Sequence, residues 1–195
     1  VGKEQKMADT FKFPTTVTAD RTEKVFMRFA EGQGEVRPDG RGLSIALNVT
    51  DTGGKPDGSQ VCSGEVKGAK SLNDLLKVPS SPKVKFGDPG PIKEVPVTAI
   101  CQASWKFKDG STLTAIGKGT STLVELASGK AVLADKAALT ITGGTGVYKG
   151  ARGSVAINST VTADSMADIP FGQPGAEINQ KSIELFRVFK GKDLK

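Results

Sequence analysis

Apolar and polar residues alternate with a period of two along most of the chain, the spacing of strands that bury one face. Lys24-Val25-Phe26-Met27-Arg28-Phe29 puts Val25, Met27 and Phe29 on one face, and Phe26 and Arg28 on the other. Leu43 to Thr50 alternates cleanly. Asp51 to Gly58, dense in Gly, Pro and Asp, then leads into Gln60 to Val66 as a hairpin with a long tip. Val97 to Phe107, Thr112 to Ile116, Ser121 to Leu126, Lys136 to Thr142, Gly153 to Val161 and Lys181 to Phe189 continue the series. Gly-containing turns such as Lys108-Asp109-Gly110-Ser111 separate them. The pattern is all-β, with about eight strands at the spacing of a sandwich or barrel.

The exceptions are few. Lys70 to Lys77 reads as one short helix, with Ser71 at its N-cap and Asp74 in its first turn. Pro79, Pro82, Pro89, Pro91 and Pro96 mark an irregular crossing. The β pattern resumes directly after it, which makes the crossing a long loop inside one domain. Residues 1–20 form a polar N-terminal arm, most polar from Val1 to Thr10, and residues 21–195 form a single domain.

Composition narrows the chemistry. The 195 residues are 37% hydrophobic and 25% charged, ordinary values for a globular chain. The net charge is +6, but Lys and Arg are scattered among acids, as in Glu23-Lys24. No aromatic-interleaved basic stretch offers a platform for bases, so a solvated basic surface is expected and no nucleic-acid partner. No apolar run approaches the roughly 20 residues of a helical membrane span, and none is expected. The chain has no histidine. That removes Ser-His-Asp and Cys-His catalysis, His-ligated zinc and histidine pH switching. Asp164, Ser165 and Asp168 lack the spacing of a calcium loop, and neither a metal nor a cofactor is expected. Cys62 and Cys101, each in a strand-like run, lack CxxC spacing. They are a disulfide candidate or a pair of buried free thiols. Pairing would imply a secreted or periplasmic protein, and free thiols a cytoplasmic one.

Leu139-Thr140-Ile141-Thr142-Gly143-Gly144-Thr145-Gly146-Val147-Tyr148-Lys149-Gly150-Ala151-Arg152-Gly153 resembles the strand–glycine turn–strand signature of allene oxide cyclase-like and dirigent-like barrels. Trp105 to Gly110 followed by Thr112 to Gly117 is similar to the preceding hairpin of that family. The resemblance spans about Val97 to Val161. Physically, Gly143, Gly144 and Gly146 suit a tight reversal, while Gly150 and Gly153 suit close strand approach. A phosphate cradle would need a following helix, whereas Ser154 to Asn158 reads as a strand.

The resemblance implies a closed antiparallel barrel whose lumen holds a small hydrophobic ligand. It also implies a cofactor-independent cyclase or isomerase that folds a natural-product intermediate, by [4+2] addition or a related cyclisation. A lipocalin-like carrier and a secreted structural domain with a packed lumen are the alternatives, and a homo-oligomer is compatible with each. Glu31 and Glu35 resemble the position of an acidic residue in the plant cyclases, although solvated turn carboxylates have the same appearance. Trp105, Phe107 and Tyr148 are candidate lumen walls, with Tyr148 also a catalytic candidate, and the same residues would serve as plain core. Arg28, a candidate substrate-binding residue with Trp105, Phe107 and Tyr148, lies like Arg187 in an apolar strand and, if turned inward, each arginine needs a carboxylate or a ligand anion. Glu184 falls on the opposite face of the strand from Arg187.

Overall fold

The computed structural model describes residues 15–17, 21–36, 42–66, 93–126, 128–164 and 177–191. The expected helix at Lys70–Lys77, the prolines at 79–91, residues 1–14 of the arm, and Ser165 and Asp168 lie outside them. The strands are β1 (Thr15–Val17), β2 (Arg21–Val36), β3 (Gly42–Thr50), β4 (Pro56–Val66) and β5 (Lys93–Phe107). β6 (Thr112–Glu125), β7 (Ala131–Thr145), β8 (Arg152–Ala163) and β9 (Glu177–Gly191) follow. Each pairs antiparallel with the next, and β9 returns to β2 from Arg21↔Gly191 to Glu35↔Glu177. This closes β2 to β9 into an eight-stranded antiparallel barrel, the all-β architecture expected from the alternation. β1 pairs with Thr22–Lys24, along the half of β2 that β3 does not cover.

Three local expectations change. Thr112–Ile116 and Ser121–Leu126 are not two strands but parts of one, β6. Gly117 between them is not a turn: a Cβ there would sit 2.1 Å from the Ala138 carbonyl oxygen, so glycine lets β6 approach β7. Pro96 lies within β5 rather than in a loop, at a stretch that pairs with β6 but has no β4 partner among the described residues. A residue without an N–H is tolerated there. Gly143 and Gly144 belong to β7. The reversal is made by a single 3-10 turn, Gly146–Tyr148, with Gly146 at φ 59° and Gly150 at φ 71°. Gly153 fits its expected part, since a Cβ would lie 1.9 Å from the Arg187 carbonyl oxygen.

The two ends of the barrel differ. At one, short turns join β3 to β4, β5 to β6 and β7 to β8. The first is held by Asp51, whose Oδ1 accepts the Gly53 and Lys55 N–H groups at 2.9 Å. The second is held by Asp109, which accepts the Ser111 N–H at 2.9 Å. Five aromatic rings plug the lumen at this end. Phe26 stacks on Phe186 at 4.7 Å, Trp105 meets the edge of Phe186 at 5.1 Å, and Phe107 lies 5.1 Å from Tyr148. Such contacts add to the gain from burying large apolar surfaces. Towards the other end the inward positions carry smaller residues, and the lumen is not filled.

Candidate functional site

Inward positions recur at every second residue of each strand. In β7 they are Leu133, Asp135, Ala137 and Leu139, and in β9 Ile178, Gln180, Ser182, Glu184, Phe186 and Val188. Beyond the aromatic plug the inward side chains leave a cavity of about 80 Å3, to which β9 contributes Gln180. Leu43, Ile45, Leu133, Leu139, Ile157 and Val161 form its apolar walls. Gln60, Cys62, Cys101, Ser121, Asp135, Ser159 and Gln180 supply its polar atoms.

Two carboxyl groups sit inside the barrel. Glu184 is fully buried, between the plug and the cavity. Its Oε2 accepts the Trp105 indole N–H at 2.7 Å, and its Oε1 accepts the Ser182 hydroxyl at 3.4 Å. The Gln60 amide also bonds to it. Loss of hydration outweighs these three donors and pushes the carboxyl up to about 7. Asp135 lines the cavity and accepts hydrogen bonds from the hydroxyls of Ser121 and, at 3.4 Å, Ser159. Burial raises it to about 6 against the pull of both serines.

The thiols are free. In the β4–β5 register Cys62 faces Ala103 and Cys101 faces Gly64, so the two cysteines are diagonal rather than opposite. Cys62 donates to Gln180 Oε1 at 3.8 Å. Burial pushes Cys62 up to about 12 and Cys101 to about 11, and the Asp135 carboxylate adds to both shifts. Neither is a nucleophile at neutral pH. Among the described residues no three Cys, Asp or Glu side chains converge as a metal site, and no helix is long and apolar enough to cross a membrane.

The residues singled out from the sequence scatter. Trp105, Phe107 and Tyr148 do come together, in the aromatic plug. Burial pushes the Tyr148 phenol up to about 12, which keeps it neutral. Arg28 lies over the Phe26 ring at 4.9 Å and pairs with Asp57 at 2.5 Å, so its buried charge is satisfied within the chain at the plugged end. Arg187 turns outward to Glu23. Glu31 and Glu35 are exposed on the outer wall, with Glu31 3.6 Å from Lys181. Both have the wrong parity on β2 for the lumen, where Phe26 and Ala30 point.

Among the described residues Asp135 and Glu184 are the lumen carboxyls; neither is a site candidate from the sequence, where Glu184 enters only by its face relative to Arg187. Asp135 precedes Lys136, where the strand was expected to start, yet β7 begins at Ala131. The apolar run Ala131-Val132-Leu133-Ala134 directly upstream, after the Ser128-Gly129 turn, is the signal that the strand starts earlier. Glu184 has weaker notice, because Ile183 and Leu185 on one face compete with Phe186 and Val188 on the other. Compared with protein-family models, curated proteins and solved structures, the chain has no match.

Proposed function

We propose that the lumen binds a small, largely apolar molecule, or the reacting end of a larger one, and that the barrel acts on it as a cofactor-independent isomerase or cyclase. The observation that carries this reading is Asp135, a carboxyl that holds its proton to about pH 6 in an otherwise mostly apolar cavity. An isomerisation returns every atom to the product, so a proton given to a substrate oxygen must come back within the turnover. A carboxyl that titrates near the working pH serves both directions. The walls supply the second contribution, by fixing one conformer of the substrate. The likeness of Leu139–Gly153 to allene oxide cyclase-like barrels agrees with this chemistry, as does the absence of histidine.

Isobutylene oxide is a suitable small probe. Protonation of its oxygen opens the ring, hydride shift follows, and loss of the oxygen-bound proton gives 2-methylpropanal with the same atoms. The protein is expected to accelerate formation of the aldehyde, followed by gas chromatography. Asp135→Asn should lower that acceleration by about 100-fold, the scale of general acid catalysis. Binding of the epoxide, seen in Trp105 fluorescence, without any acceleration would leave a carrier.

A packed structural barrel is the second reading, favoured by the cavity's size. Its 80 Å3 is below the roughly 150 Å3 in which a dry cavity holds benzene. Against it stand two carboxyls, two thiols and two glutamines on the inner wall, which an inert core has no need to bury.

A further inference from the structure

Gln60 is the unusual member of the lumen wall. It is 1% exposed, lines the cavity, and its Oε1 has no hydrogen-bond partner among the described residues. Leaving a buried acceptor in that condition costs on the order of tenfold in an equilibrium. With Glu184 ionised, the amide is not free to turn. Glu184 already accepts from Trp105 and Ser182, and as a carboxylate it takes a third bond only from a donor, the Gln60 N–H. That bond fixes Nε2 toward Glu184 and leaves Oε1 without a donor in a residue of the cavity wall. Two other acceptors there are engaged: Asp135 by two serines, and the Gln180 carbonyl by the Cys62 thiol.

Resting on the lumen-binding reading above, we infer that the molecule this barrel takes carries a neutral hydroxyl, which donates its hydrogen to Gln60 Oε1 while the apolar body packs against Leu43, Ile45, Leu139 and Ile157. A donor is required because the unpartnered group on the wall is an acceptor. A neutral donor suits the site better than an ammonium, since the one carboxylate on the cavity surface, Asp135, is already paired with the Ser121 and Ser159 hydroxyls and the remaining walls are mostly apolar. Glu184, to which the Gln60 amide bonds, is not on the cavity surface.

The test ranks four probes of equal size by Trp105 fluorescence at pH 8, where Glu184 is ionised. Cyclobutanol donates and accepts, cyclobutanone only accepts, cyclopentane does neither, and cyclobutylammonium donates with a charge. Cyclobutanol is expected to bind about tenfold tighter than the ketone and the hydrocarbon, and tighter than the ammonium. In Gln60→Met, a variant of similar shape, that preference should vanish. The wild-type ranking decides by itself if the variant does not fold. Equal binding of alcohol, ketone and hydrocarbon would overturn the hydroxyl inference and leave lumen binding standing. Tightest binding of the ammonium would overturn it in favour of a cationic ligand. Binding of none of the four would overturn the lumen reading, and this inference with it.

Discussion

At the scale of single residues, the interior carboxyls tie stability to pH. Glutamate titrates near 4.5 in an unfolded chain, whereas folded Glu184 does so at about 7. Between these values the folded state holds a proton that the unfolded state has released. Stability from this group is therefore full below about pH 4.5 and is lost as pH rises through 7. The loss is on the order of 3 kcal/mol. Asp135 adds a contribution of the same sign at lower pH, between its ordinary 3.8 and about 6. Urea unfolding at pH 5 and pH 8 checks this. Wild type should be less stable at pH 8, and Glu184→Gln, which has no proton to lose, should show a much flatter difference. A variant with the full wild-type slope would remove Glu184 as its source.

At the scale of elements, glycine positions separate two costs that the sequence shows as one. Gly153 has φ 139° and a Cβ would collide with the Arg187 carbonyl oxygen, so Gly153→Ala forces β8 away from β9. Gly54, at the tip of the β3–β4 hairpin, has φ 76° but open space around its Cα. Chemical denaturation should find Gly54→Ala destabilising by about 1 kcal/mol, the cost of a left-handed backbone. Gly153→Ala should cost well over about 2 kcal/mol, because a clash adds to strain. Similar losses at both would mean that β8 and β9 have room to separate. The same distinction explains why β6 read as two strands. Gly117 and Gly119 resemble a turn in sequence, and only the approach of β7 shows that they are packing residues.

At the scale of the whole molecule, closure of β9 on β2 puts both cysteines on the inner wall, each half-buried. With the thiols raised to about 12 and 11, almost no thiolate exists at pH 8. A thiol-specific reagent should therefore react with neither cysteine in the native barrel, and with both in denaturant without reductant. Failure of both to react in denaturant would show a disulfide, and fast native reaction would show an open lumen. The diagonal placement of Cys62 and Cys101 explains why both possibilities looked equal in sequence. Spacing along the chain says nothing of register across β4 and β5.

The period-two alternation by itself determined an all-β chain, most of its strands and several turns, because those properties depend on neighbours a few residues apart. Asp109-Gly110 makes its turn wherever the strands go. The absence of histidine likewise excluded whole classes of chemistry without any coordinates. Only the tertiary structure decided which face of each strand points inward, since β2 and β9 carry apolar residues on both faces. That choice placed Glu31 and Glu35 outside, and Asp135, Glu184 and Gln60 inside. It comes from closing a sheet between segments more than 140 residues apart, where the burial of Phe26 against Phe186 outweighs the exposure of Ile183 and Leu185.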